Sequence, residues 1–153
     1  MTHPYIAGAM LDSAIGLVLV ETPAQRNAMT VSFFSEVAHH PTALWISIST
    51  HAFTHELLLK SKRFSLVVLN NRQGDIAKQC GTFSGRERDK CAGLNLTTSE
   101  GGFLILRGAL ASTGCEVSKT IEIDEHTLFI AHIIESHLDS RQAHRRQLLL
   151  SDL

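Results

Sequence analysis

A closed or nearly closed β-barrel with two inserted helices, mainly β overall, is the fold this sequence predicts. Three observations lead there. Apolar and polar residues alternate at a period of two, most clearly where Cys115, Val117, Ile121 and Ile123 interleave with Glu116, Ser118, Thr120 and Glu122. Short turn sequences such as "TPAQR", "AHHPT" and "DEH" join the segments. Only two stretches show the 3.6-residue period of a helix. Barrel closure hides the edges that so many apolar strands would otherwise expose.

In chain order, the first strand is expected over Ser13–Glu21, which holds the apolar run Ala14–Val20. A second is expected at Asn27–Val37 and a third at Ala43–Thr50. Thr54 is placed as N-cap of the first helix, with Leu57, Leu58 and Ser61 on one face. Phe64–Leu69 is a short, almost continuously apolar strand. The second helix should run from Asp75 to about Phe83, with Ile76, Ala77, Cys80 and Phe83 along one side. The glycine-bearing stretch "SGRERDKCAGLNLTTSEGG" that follows reads as a long loop of the kind that carries function. Strands return at Phe103–Leu106, at Cys115–Ile123 with Lys119 breaking the alternation, and at Thr127–His137. The tail "DSRQAHRRQLLLSDL" is expected either as a short helix or as a frayed end. The 153 residues allow one core and not two, so 1–153 is read as a single domain whose tail from about 139 is peripheral.

Composition narrows the function classes. Apolar residues make up 44% of the chain, which argues against disorder, and a formal charge of −1 supports neither a nucleic-acid nor an anionic-membrane partner. "MTHPYIAGAM" lacks the basic start and long apolar stretch of a signal peptide, and Ala14–Val20 is far short of the roughly 20 residues that span a bilayer. Cys80, Cys91 and Cys115 are odd in number and irregular in spacing, as expected of reduced thiols in a cytoplasm. No Cys-x-x-Cys pair or mixed His/Cys grouping calls for zinc.

Several segments carry chemistry of their own. The strand residues Ser47, Ser49 and Thr50 run into a helix start at Thr54, and hydroxyls beside free N–H groups at a helix N-terminus suit a phosphate. The same residue types also serve simply as caps and solvated polar groups. His51 and His55 stand four apart, but position 59 is Leu59, so the His-Glu-x-x-His pattern of a zinc helix fails. Arg86, Arg88 and Lys90 share one loop, fit either to close on a phosphate or to pair with Glu87 and Asp89 at the surface. His126 sits at a turn before an apolar strand, where a histidine is either structural or a nucleotide contact. "RNAMTVSFFSEV" poses a further question, because Thr30, Ser32 and Ser35 interrupt a strand rich in Val and Phe. No nucleophile elbow, Walker loop or GxGxxG is present, so no catalytic residue is assigned.

Four of these stretches, in order, resemble the flavin reductase-like family, whose domain is an FMN-binding split β-barrel. They are "NAMTVSFFSEV", the pair "WISIST" and "THELL", "SGRERDKCAGL", and "DEHTLFIA"; the likeness extends over roughly Ser13 to His137. Asp124-Glu125 stands where the family often has Gly-Asp, and Ala131 and Cys91 replace a common Gly and Phe. The resemblance implies an NAD(P)H:flavin oxidoreductase that binds FMN non-covalently and passes it a hydride. It puts Asn27, Ala28, Met29 and Thr30 along the rim of the isoalloxazine, which accounts for the polar residues of that strand. By the same likeness Ser47, Ser49, Thr50 and Thr54 hold the phosphate, Ser84, Gly85, Arg86 and Lys90 form the covering loop, and His126 touches the nicotinamide nucleotide. A cytoplasmic homodimer with FMN and NAD(P)H as partners, and a redox protein as a further candidate partner, is the implied setting. The rival reading is an FMN-binding electron carrier reduced by a protein partner; a third is a split barrel that binds without redox function.

Overall fold

The computed structural model describes residues 11–153, so the stretch 1–10, including "MTHPYIAGAM", lies outside the described residues. Its strands are β1 Gly16–Glu21, β2 Arg26–Val31, β3 Phe34–His39, β4 Thr42–Ser49, β5 Arg63–Val68, β6 Leu96–Thr98, β7 Leu104–Leu106, β8 Ala111–Ile123 and β9 His126–Leu138. The helices are α1, Phe53–Ser61, and α2, Gly74–Thr82. Seven strands form one antiparallel sheet in the order β2-β1-β5-β8-β9-β4-β3, while β6 and β7 pair apart from it.

The two edge strands, β2 and β3, are neighbours in sequence. The expected single strand Asn27–Val37 is therefore two: the chain leaves one edge at Val31, crosses through Ser32 and Phe33, and joins the other edge at Phe34. The side-chain pattern shows why. Val31 is buried in the barrel core and Phe34 packs against that core, while Phe33 is half exposed, so the period of two slips between them. A covalent bend, with no ladder of hydrogen bonds, thus closes a split barrel. Gly16 makes the closure possible: a Cβ there would lie 2.5 Å from the Val67 carbonyl and 3.3 Å from the Phe34 ring.

Every strand of the large sheet except β3 contributes buried residues to the barrel interior, with Val18, Val31, Ile46, Phe64, Cys115 and Phe129 as examples, and β3 adds the partly buried Phe34. Phe53, Leu57 and Leu58 of α1 plug this core. A second core covers the outer face of β1, where Leu17 and Leu19 meet Ala77 and Cys80 of α2 and Leu104 and Leu106 of β7. With both faces covered, Gly16 to Val20 are all buried, which explains the unbroken apolar run. On β8 the pairing with β9 shifts between Val117 and Lys119, so Lys119 falls out of alternation at a bulge.

Three expectations need correction. The stretch 84–102 is not one loop, since it contains β6, paired with β7 through Leu96 and Leu106. The tail is neither a helix nor frayed. It forms short 3-10 turns at Ser140–Gln142 and Leu150–Asp152, and between them Leu148 is 1% exposed and bridges the sheet. Ile15 N–H donates to the Leu148 carbonyl at 2.7 Å, and Leu148 N–H donates to that of Leu69 at 2.9 Å. Finally, Thr54 is not the cap of α1. The capping position is Ala52, which offers no side-chain bond, and Thr54 lies inside the helix.

Candidate functional site

A cleft of about 190 Å³ opens where β2 meets the start of α1, the end of α2 and the segment 83–90. Each wall follows from local sequence. As an edge strand, β2 turns part of its backbone N–H and C=O groups away from β1. Its Asn27 is buried and donates through Nδ2 to Thr54 Oγ1 at 2.9 Å, pinning strand to helix. Thr30 Oγ1 donates to the Ala77 carbonyl at 2.6 Å and so ties β2 to α2. Ala28, by contrast, points into the second core, leaving only its backbone to the edge.

The segment after α2 is an ordered turn. Ser84 Oγ accepts from Arg86 N–H at 3.2 Å, and the Ser84 carbonyl accepts from the N–H groups of Glu87 and Arg88. Gly85 lies directly on the site, since a Cβ there would overlap Asn27 Oδ1 and come within 2.7 Å of the Phe53 ring. Arg86 reaches across the mouth, donating to the His51 carbonyl and to Glu56, each at 3.2 Å, with its guanidinium 5.1 Å from the Phe53 ring centre. Glu56 is held below the usual carboxylate range by hydrogen bonds from Lys60 and Arg86. Lys90, read from sequence as a surface or loop cation, is 5% exposed. Its Nζ donates to the Cys80 carbonyl at 2.9 Å, and no carboxylate among the described residues pairs with it. Burial holds its pKa below the ordinary lysine value.

The structure brings Asn27, Met29, Thr30, Thr54, Ser84, Gly85 and Lys90 to one cleft, with Arg86 at its mouth. Ser47, Ser49, Thr50 and His126 form a separate group around the β4–β9 register. Ser49 pairs with His126, Thr50 Oγ1 donates to the Glu125 carbonyl at 3.1 Å, and Ser49 Oγ accepts from His51 N–H at 3.3 Å. His126 has Glu125 at 3.6 Å and the exposed Phe33 ring with its centroid at 6.1 Å. His51 joins the groups, because its N–H donates to Ser49 Oγ while its carbonyl accepts from Arg86 at the cleft mouth. Phe53, Cys80 and Phe83 also line it and escape sequence reasoning, since apolar residues flanking a helix carry no chemical signature. His55 turns away from His51 to share a 2.8 Å hydrogen bond with Thr127 Oγ1, and burial lowers its pKa.

These features set the kind of ligand the cleft suits. A buried, unpaired ammonium calls for an anion. The first N–H groups of α1, uncapped by any side chain, add the positive end of a helix dipole. Asn27 Oδ1 is buried with no hydrogen-bond partner among the described residues, so it offers an acceptor to a donor such as a ring N–H. A flavin mononucleotide, with its dianionic phosphate and its ring carrying both donors and acceptors, fits that set. No described group of three His, Cys, Asp or Glu residues suits a metal, and no described helix is long and apolar enough to cross a membrane.

Comparison with known proteins agrees with this chemistry. Residues 10–152 match the model of the flavin reductase like domain. The chain is similar to the NADH-dependent flavin reductase StyB of Pseudomonas fluorescens, 30% identical over 128 residues, covering 83% of this chain and 72% of that one. Among solved structures it resembles the styrene monooxygenase flavin reductase of Pseudomonas putida S12, with a TM-score of 0.84 at 27% identity, covering 97% of this chain and 92% of that one. It also resembles an FMN-binding protein from Thermus thermophilus, with a TM-score of 0.85 at 25% identity, covering 93% and 79% of the respective chains.

Proposed function

Because the chain belongs to the flavin reductase-like family, we propose that it binds FMN in the cleft beside Lys90 and reduces it with a nicotinamide nucleotide. The chain is a flavin reductase-like oxidoreductase; the flavin, when bound, supplies the hydride-accepting chemistry. The observation that carries the cofactor assignment is the buried ammonium of Lys90, which no carboxylate among the described residues neutralises.

The residues divide the work by position. Lys90 and the uncapped start of α1 at Phe53 and Thr54 take the phosphate. Asn27, Met29 and Thr30, with the edge backbone of β2 including Ala28, line the ring and give fixed donors to the pyrimidine side, where charge gathers on reduction. Ser84, Gly85 and Arg86 close the mouth and exclude water. Ser47, Ser49 and Thr50, given to the phosphate by the family resemblance, lie at the β4 end that pairs with His126 and not among the cleft-lining residues, and Thr50 there holds the Glu125 carbonyl just before the histidine. The protein acts as a cytoplasmic homodimer, a setting supported by the family resemblance. No side chain is needed to move a proton in the hydride step, so none is assigned as acid or base.

Anaerobic rapid mixing of the flavin-loaded protein with NADH, and separately with NADPH, tests this reading. Loss of the oxidised flavin's visible band on mixing supports it, and the faster of the two reductants identifies the donor. A band that persists with both, yet bleaches with a reduced protein partner, replaces the reductase by an electron carrier.

A further inference from the structure

A larger cavity, about 880 Å³ and so within the usual range for small-molecule sites, lies at the C-terminal end of α1 between the β1–β2 turn and the start of β5. It shares no lining residue with the flavin cleft. Its floor holds an oddity. Ser65 is 1% exposed, and its Oγ has no hydrogen-bond partner among the described residues. A buried hydroxyl without a partner is costly, and a fold that needed only packing there would be served by valine. Ser65 pairs across the sheet with Leu19 and Gly114, so the three share one face.

Arg63 stands two residues before Ser65 on β5 and therefore on the same face. Its guanidinium is built in place: it stacks on Phe103 at 4.1 Å and donates from Nη2 to the Gly101 carbonyl at 2.7 Å. Phe103 in turn lies flat on Gly114, where a Cβ would stand 2.5 Å from the ring. The Arg63 Nε, also buried, makes no hydrogen bond and has only the Glu116 carboxylate at 3.5 Å. Lys60 lines the same space, its ammonium 3.2 Å from Glu56, and Glu21 is the one carboxylate among the lining residues. Leu19 and Leu104 supply an apolar part of the wall.

We propose that this cavity binds a small amphipathic carboxylate, its two oxygens taken by Arg63 and Ser65 and its apolar body laid against Leu19 and Leu104. A carboxylate matches one pre-oriented guanidinium and one unpartnered buried hydroxyl on the same strand face, and it competes for Arg63 with Glu116 at 3.5 Å. The site stands apart from the flavin cleft, so its occupant binds alongside the cofactor.

Benzoate is the probe, titrated calorimetrically into the full chain with and without FMN, with benzyl alcohol as its neutral counterpart. The expected result is saturable benzoate binding that FMN does not displace, with benzyl alcohol at least tenfold weaker. Ser65→Val should weaken benzoate at least tenfold while the free protein melts at the same or a higher temperature. Arg63→Gln should abolish the preference for benzoate over benzyl alcohol. Absence of saturable binding overturns the proposal, as does displacement of FMN by benzoate. A lowered melting temperature in Ser65→Val overturns it too, because the hydroxyl then serves the fold.

Discussion

Thr54 shows how a residue keeps its importance while its role changes. From sequence it reads as a helix cap; in the structure it accepts the Asn27 amide from inside the helix. Thr54→Val strands a buried donor, at about 1–3 kcal/mol, and a chain of this size should lose several degrees of melting temperature. If Thr54 acts through Asn27, the affinities for FMN and riboflavin fall by the same factor in a fluorescence titration. Lys90 makes the opposite forecast. Lys90→Met should weaken FMN at least tenfold, leave riboflavin nearly unchanged, and not lower the melting temperature of the flavin-free protein, because burial already disfavours the charge. His126→Ala should keep FMN bound and raise the nicotinamide nucleotide concentration needed for reduction roughly ten- to a hundredfold, about 1.5–3 kcal/mol, in stopped-flow traces. Unchanged kinetics with a lower melting point would make His126 a turn residue only. Of these three, the motif order made all legible as candidates, but the burial of Lys90 was hidden, since a charge run of Arg, Glu, Arg, Asp and Lys looks solvated throughout.

At the scale of elements, alternation and turn residues located most strands to within a few residues, and the 3.6 period located both helices. The misses share one cause: contacts distant in sequence decide them. Nothing local says that Asn27–Val37 divides at Ser32, although the step from Val31 to Phe34, three residues where two or four would keep the phase, is its trace. Nothing local says that the tail returns to lie beside Ile15 and Leu69, because Leu148 meets partners more than 70 residues away. The division between β2 and β3 depends on Gly16. Gly16→Ala pushes a methyl against the Val67 carbonyl and the Phe34 ring, and a backbone carbonyl in a paired strand cannot yield cheaply. Thermal denaturation should show a loss of about 1–3 kcal/mol, whereas Gly93→Ala, whose nearest neighbour is a glutamine side chain at 3.6 Å, should be tolerated.

For the molecule as a whole, the three free thiols are all buried, and burial raises each of them, Cys91 to about 11 and Cys115 to about 12. Their unfolded values lie near 8.5, so below about pH 8 both states hold these protons and the stability is fully present. As pH rises beyond that, the unfolded chain releases protons that the folded one retains, and stability is lost progressively toward pH 11–12. Lys90, lowered in the fold, works in the opposite sense just below 10.5, one group against three. Melting temperature should therefore fall from about pH 9 upward, and Cys115→Ala should flatten that fall. The bend at Ser32 and Phe33 has a different consequence. Wherever strands are laddered, admitting a guest means breaking bonds, but along the line between β2 and β3 there are none to break. The molecule is like a sleeve closed by a single stitch: a nick at that stitch would leave each free edge held only by its inner neighbour, β2 by β1 and β3 by β4.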